Sequence, residues 1–302
     1  MWLFENKPVK LVALFLLFFD ISCGSAQTKI PYHLGYGGHF LIKVKVNNVR
    51  DYLFVVDTGA QNTSVYKNVV EELNIQPVNK QFTYVQGATG MLKSPLYKID
   101  DINIAGQTFT NFLSATTESF EDENKVGGIV GMDFLANYVV EFNCDTSHII
   151  LHDSIKTINP EQIFATIPFH SPIADFIFFD IKAQDETLTA IMDTGARRNV
   201  MPWTTAKTLG INKNDTRLIE DLHISGASGK KTQPLQKIIL NQLVIGNKVW
   251  HKQSITIADI AIYAVMPKQK HPAIIIGSPI FSKAHFVIDY QHKQLLLFSV
   301  WP

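Results

Sequence analysis

Cysteine is nearly absent from this chain: its 302 residues hold two, Cys23 and Cys144. Two thiols cannot make a disulfide framework, so the fold must rest on its core. With 46% hydrophobic and 11% aromatic residues, there is enough apolar material for one large domain or two lobes. An excess of charge of one sign is missing as well. Lys plus Arg and Asp plus Glu number 27 each, which argues against nucleic acid or an anionic membrane surface as a partner. Metal-ligand spacing is also missing. His148 and His152 have no third ligand near in sequence, so no metal and no cofactor is expected, and both histidines read as unexceptional. Cys144, in a strand-like stretch, reads as a buried apolar residue rather than a nucleophile.

Long apolar runs are lacking too. The stretch Leu11 to Phe19 is too short to span a membrane. Lys7 and Lys10 precede it, and the small residues Ser22-Cys23-Gly24-Ser25-Ala26 follow. This is the layout of a secretory signal over residues 1–26, cut after Ala26, and it predicts an exported protein, periplasmic or extracellular. An alternative makes Cys23 the lipidated first residue of a lipoprotein, which would tether the chain to a membrane. Asp20 then occupies a position where that pattern has an aliphatic residue. A retained apolar N-terminal helix is the weakest reading of the three.

What the chain does have is period-two alternation and a repeat. Ile42, Val44 and Val46 alternate with Lys43 and Lys45, as in a half-buried strand. Phe54 to Asn62 reads FVVDTGAQN and Ala190 to Asn199 reads AIMDTGARRN, which places Asp57 and Asp193 136 residues apart. At that offset Phe40 falls on Phe176, Leu73 on Leu209 and Ile75 on Ile211. Asn74 falls on Gly210, the two residue types best suited to a left-handed helix C-cap. Gly87-Ala88-Thr89-Gly90 pairs with Gly226-Ala227-Ser228-Gly229, and Ile129-Val130-Gly131 with Ile275-Ile276-Gly277. The chain therefore reads as a tandem duplication of one β-rich lobe. The boundaries are a first lobe over 27–152, a polar linker over 153–162 with Pro160, and a second lobe over 163–302.

An apolar strand that ends on a carboxylate needs a partner for that charge. Two lobes related by a pseudo-two-fold axis supply one, because Asp57 then meets Asp193. Neighbouring carboxylates share a proton, so one can act as base on a water while the other donates to a carbonyl oxygen. Gly59 and Gly195 let the backbone turn tightly with their amides near the carboxylates. The hydroxyls of Thr58 and Thr194 can lock the two loops together across the interface. The two glycine-rich tips, with Gly87, Gly90, Gly226 and Gly229, serve either as flaps over the cleft or as plain hairpin turns.

The two DTGA motifs, the two aliphatic-aliphatic-Gly motifs and the duplication resemble the pepsin and retropepsin clan of aspartic proteases, from about Lys29 to Phe298. The resemblance implies an all-β, bilobal, pseudo-two-fold fold made of two retropepsin-like lobes in one chain. It implies a water held between Asp57 and Asp193, no metal, and endopeptidase action on an extended protein or peptide substrate. It gives Thr58 and Thr194 the inter-lobe hydrogen bonds. Pepsin-type enzymes have Ser or Thr after DTG and several disulfides; Ala60 and Ala196 stand here, with no disulfide, so each lobe is closer to a retroviral-type protomer. Tyr84 is the counterpart of the pepsin flap tyrosine, at a different glycine spacing. Gln61, Asn62, Arg197 and Arg198 match positions that face outer subsites in retroviral relatives, and the arginines read equally well as solvated surface charges. Because both halves of the site lie in one chain, a monomer is expected. The competing readings are a non-catalytic peptide-binding protein that keeps the fold and a glycosidase; the symmetry of the two motifs argues against the latter.

Overall fold

The structure, a computed structural model, describes residues 27–117, 126–229 and 231–298. The leader and Cys23 lie outside the described residues. The first half contributes β1 (Thr28–Leu34), β2 (Phe40–Val46), β3 (Arg50–Val56), β4 (Ser64–Val65) and β5 (Pro77–Gly87). It continues with β6 (Gly90–Ile104), β7 (Gln107–Ala115), β8 (Val126–Val130), β9 (Val139–Asn143) and β10 (His148–His152). Two short helices, α1 (Lys67–Glu72) and α2 (Met132–Leu135), interrupt these strands. The second half repeats the plan with β11 (Ile163–Pro168), β12 (Phe178–Ala183), β13 (Glu186–Asp193), β14 (Asn199–Met201) and β15 (Ile219–Asp221). Then come β16 (Leu235–Ile245), β17 (Lys248–Ile257), β18 (Ala273–Gly277), β19 (Phe286–Asp289) and β20 (Gln294–Phe298). The helices of this half are α3 (Trp203–Thr208), α4 (Ile262–Val265) and α5 (Ser278–Phe281). The fold is all-β and bilobal. The segment between β10 and β11 forms two 3-10 turns, Ile155–Thr157 and Pro160–Gln162.

The alternation in β2 becomes a two-faced strand: Ile42, Val44 and Val46 are buried while Lys43 and Lys45 face outwards. Asn47 and Asn48, with φ of 49° and 54°, turn it into β3. β3 and β13 lack such alternation because both of their faces are covered: Phe54, Val55 and Val56 are buried in succession, as are Leu188 to Met192. A strand buried on both faces reads as a continuous apolar run. Each also gains a parallel neighbour, β3 with β8 and β13 with β18. After α1 and α3, Asn74 and Gly210 take left-handed φ of 52° and 72°, so both helices stop at the same place in the repeat.

Six antiparallel strands at one end of a larger sheet join the lobes in the order β11-β20-β19-β9-β10-β1. Read outwards from their centre, the two sides are equivalent, so the pseudo-two-fold axis passes between β9 and β19. There Phe142 stands opposite Phe286 and their rings stack at 4.5 Å. Burying one such ring contributes about 1.5–3 kcal/mol. The same sheet holds a polar clasp. Glu141 on β9 meets His152 Nε2 at 2.8 Å and, from the other lobe, His285 Nε2 at 2.9 Å. Thr157 Oγ1 meets His152 Nδ1 at 2.8 Å, and Asn143 Nδ2 donates to Glu141 at 3.1 Å. Burial would raise the Glu141 carboxyl, but the hydrogen bonds from His152, His285 and Asn143 outweigh it and hold the group at about 2.

Two sequence readings need correction here. His152 is not an unexceptional histidine; its partner Glu141 faces it from the adjacent strand and His285 from the second half. Cys144 is not in a strand core. It lies half-buried in the turn between β9 and β10, its thiol pushed up to about 11 by partial burial and by the charge of Asp145. His148, at the same hairpin, has its Nδ1 on the Thr146 carbonyl at 2.6 Å.

Candidate active site

β3 and β13 end side by side at the axis, and the DTG loops follow. The Gly59 N–H donates to Asp57 Oδ1 at 2.7 Å, which fixes that carboxyl. The carboxyls of Asp57 and Asp193 are neighbours, each packed against the glycine of the other's loop. The approach is so close that a Cβ on Gly59 would stand 2.5 Å from Asp193 Cγ, and one on Gly195 would overlap the Asp57 carboxyl. Only glycine fits at either position, which explains the third residue of both motifs.

The threonines cross-brace the loops. Thr58 N–H donates to Thr194 Oγ1 at 3.0 Å and Thr194 N–H to Thr58 Oγ1 at 3.1 Å. In turn, Thr58 Oγ1 donates to Met192 O at 3.3 Å and Thr194 Oγ1 to Val56 O at 2.7 Å. Each hydroxyl thus accepts from and donates to the opposite lobe, and both threonines are fully buried. Hydrogen bonds in so dry a place are costly to leave unmade, so the brace fixes one geometry.

Electrostatics divide the two carboxyls. Burial raises Asp57 above the usual carboxylate range, opposed by the Gly59 N–H, the hydrogen bond from Asp193, the charge of His39 and the Gly195 N–H. Asp193 goes up much further, first through burial and then through the negative charge of Asp57. The pair therefore retains one proton well above the ordinary carboxylate range.

Beneath each loop lies the aliphatic-aliphatic-Gly segment. Gly131 N–H donates to Thr63 Oγ1 at 3.1 Å, and Gly277 N–H to Asn199 Oδ1 at 2.9 Å. Thr63 Oγ1 in turn donates to Asp133 at 2.6 Å. Thr63 and Asn199 each follow their aspartate by six residues, so the repeat offset carries a signal for them that the motif itself does not. In sequence Asn62-Thr63-Ser64 has the form of a glycosylation sequon, yet Asn62 lines the cleft, which a glycan there would obstruct.

Above the dyad the glycine-rich tips meet. Thr89 Oγ1 and Ser228 Oγ stand 2.8 Å apart, and Gly87 approaches the Ala227 backbone as Gly226 approaches that of Ala88. Gly87 and Gly90 close the β5–β6 hairpin, whereas Gly226 and Gly229 belong to a loop pinned by the single bridge Ser225–Lys231. Tyr84 reaches the rim of the cleft but sits on the outer face of its hairpin, 60% exposed and edge-on to Phe82. Thr83, one residue earlier, pairs with buried Ser94 and faces inwards.

The cleft between loops and tips has a volume of about 2190 Å³. That is more than the roughly 300–1,000 Å³ of a typical small-molecule site and suits an extended chain. Gln61, Asn62, Arg197 and Arg198 all line it. The arginines are half-buried rather than freely solvated. Arg198 Nη1 donates to Leu222 O at 3.0 Å and His223 O at 3.3 Å and lies 3.9 Å from Asp221, so it ties the second tip to its own lobe. Arg197 lies over the Tyr36 ring, its guanidinium carbon 5.3 Å from the centroid. Among the described residues, no group of three or more His, Cys, Asp or Glu side chains could hold a metal ion.

His39 is the site residue with no motif to announce it. It is fully buried, and its Nε2–H donates to Gly195 O at 2.9 Å. The repeat offset pairs it with Asp175, which is exposed, so the repeat gave no signal for it.

The chain belongs to the aspartyl protease family, whose model matches it twice, over residues 42–134 and 179–280. Each match runs from the second strand of a lobe to the short helix that follows its aliphatic-aliphatic-Gly segment. No curated protein matches the sequence.

Proposed function

We propose that this member of the aspartyl protease family is an exported, monomeric endopeptidase whose Asp57–Asp193 pair activates a water against a peptide carbonyl. The observation that carries the reading is the close approach of the two carboxyls, each against the glycine of the other's loop, at the floor of one long cleft. In the first step ionised Asp57 takes a proton from the water as its oxygen attacks the carbonyl carbon. The Asp193 proton passes to the carbonyl oxygen, giving a neutral tetrahedral diol. In the second step the diol returns one hydroxyl proton to Asp193, and Asp57 gives its proton to the nitrogen. The C–N bond breaks, and the dyad is again singly protonated. No covalent enzyme intermediate and no cofactor is required.

The tips support the rest of the reading. Strand edges at β5 and the second tip offer backbone groups to an extended peptide, whose side chains would fall alternately towards the two lobes. The tips must part to admit it and exclude water once closed. Export through residues 1–26, to the periplasm or the outside, and the division at 153–162 belong to the same proposal. The test is incubation with an unstructured protein, with and without pepstatin. Cleavage into discrete fragments, blocked by the inhibitor, is expected. Tight pepstatin binding without cleavage would favour a peptide-binding protein that has kept the fold.

A further inference from the structure

The dyad and its brace obey the two-fold symmetry, but the charge of the cleft does not. Among the described residues that line it, Arg197, Arg198 and Lys231 all come from the second lobe, and the first lobe supplies neither lysine nor arginine. Beyond the dyad the one acidic residue among them is Asp133, on the first-lobe side, where Thr63 donates to it through its N–H at 2.8 Å and its hydroxyl at 2.6 Å. The repeat makes the contrast direct: Arg197 and Arg198 stand in the places of Gln61 and Asn62. One side of the dyad is therefore basic and the other neutral. Arg197 is also built into place. The loop Gly35–His39 leaves the first lobe and docks on the second: Ser278 Oγ donates to Gly37 O at 2.6 Å, and Gly38 packs on Ser282. Gly37, at a left-handed φ of 77°, lies so close that a Cβ on it would stand 2.8 Å from Arg197 Cγ. The guanidinium lies over the Tyr36 ring, a contact that orients the cation without neutralising it. Arg198, by contrast, is committed to the carbonyls of Leu222 and His223.

We propose that Arg197 is a specificity-determining residue and that the basic side of the cleft takes an Asp or Glu side chain of the substrate, on one side only of the scissile bond. This rests on the endopeptidase reading and names the substrate class within it: extended peptides with an acidic residue flanking the cut. Gln61 and Arg197 each follow their aspartate by four residues. A peptide that crosses between the two aspartates therefore passes the amide on one side and the guanidinium on the other. A guanidinium meets a carboxylate with two parallel hydrogen bonds, which an amide cannot match in charge. Arg198 and Lys231 add to the same field and draw an acidic segment towards that wall.

The test uses peptides blocked at both ends, so that no chain end supplies a carboxylate, with Glu or Gln at each position in turn. Above about pH 5 the substrate Glu is ionised. There Glu should raise kcat/KM about tenfold over Gln at positions on one side of the cut. The gain should shrink as ionic strength rises. Arg197→Gln copies Gln61 into the second lobe and should bring the Glu-to-Gln ratio close to one. Arg197→Glu should turn the preference to Lys. Each ratio is taken within one variant, so a change in overall rate does not enter it. A ratio near one at every position in the wild type, equal preference on both sides, or a ratio that Arg197→Gln leaves unmoved would overturn the proposal. If neither variant folds, the one-sidedness and the salt dependence of the wild type decide. If the wild type cleaves no peptide, the peptidase reading falls alone. The affinities of the same Glu and Gln peptides for the wild type, measured by calorimetry, then decide on the subsite by the same ratio.

Discussion

The first lobe closes its side of the cleft with a long hairpin, β5 and β6, registered from Phe82–Pro95 to Gly87–Gly90. The second closes its side with a loop that rests on one bridge, two Thr232–Ile224 hydrogen bonds and the grip of Arg198 on two carbonyls. Below the tips the lobes are interchangeable: Thr58 and Thr194 make the same two bonds, and Gly131 and Gly277 donate to side chains at the same offset. Duplicated halves have stayed alike where two carboxyls must meet in one geometry. They have diverged at the tips above the cleft and at the loop Gly35–His39, which docks on the second lobe alone.

Replacing either aspartate tests both parts of that comparison. Asp57→Asn and Asp193→Asn should each lower kcat by at least about 10²–10⁴-fold, since neither amide completes the proton cycle. The double variant should lose little more than either single one. Stability should separate the two. In the folded state Asp193 holds its proton well above the unfolded value of 3.8. Folding therefore takes up a proton, and the wild type loses stability as pH rises from the unfolded value through the folded one. Asn carries no such dependence. Melting temperature against pH should show Asp193→Asn gaining on the wild type from about pH 4 upwards, and Asp57→Asn gaining less. Equal gains would mean that the proton is shared without preference.

How much of this was legible beforehand follows from the range of each interaction. The dyad and the threonine brace lie at one repeat offset and the two tips at one three residues longer, and a duplication announces such residues by itself. The left-handed Asn74 and Gly210 were legible for the same reason. His39 was not, because its contact spans 156 residues and its repeat partner, Asp175, lies on the surface. The Glu141 clasp escaped too: His285 reaches it from 144 residues away, through strand pairing across the axis that no local pattern encodes. Tyr84 went to the outer face because the register of the hairpin, not its glycine spacing, decides which side chains face in.

The clasp gives the next largest effect. Glu141 is held at about 2 in the folded protein against an ordinary 4.5, so it contributes stability above about pH 4.5 that is lost as pH falls towards 2. Glu141→Gln should cost on the order of 2–3 kcal/mol at neutral pH and flatten the acid limb of the melting curve. Denaturant unfolding at pH 3 and pH 7 measures both. A variant as stable as the wild type at pH 7 would show that the stacked Phe142 and Phe286 hold the lobes without it.

Thr58→Val and Thr194→Val test the symmetric part. Each removes one hydroxyl and leaves a buried N–H and a buried carbonyl of the other lobe unpaired, at about 1–3 kcal/mol. The two costs should agree within about 0.5 kcal/mol, and the matching Thr→Ser variants should retain most of the stability. A clear inequality in chemical denaturation would show that the brace favours one lobe.

The smallest effect concerns the residue after each motif. Ionised Asp57 is favoured by the N–H groups of Gly59 and Gly195 and by Asp193 and His39; Asp193 receives the N–H groups of Gly195 and Ala196. No side-chain hydroxyl from positions 60 or 196 adds to these donors, because both residues are alanine. A serine there could donate one further hydrogen bond to the charged form and lower the carboxyl it reaches. The active species is the singly protonated pair, so the bell-shaped kcat/KM profile lies between two macroscopic values and moves with them. Ala60→Ser should shift mainly the acidic limb, set by Asp57, and Ala196→Ser mainly the alkaline limb, set by Asp193. Each shift should be towards lower pH by about 0.5 unit. Movement of the same limb by both substitutions would show that the two carboxyls are equivalent, and the asymmetry assigned to the dyad would then be wrong.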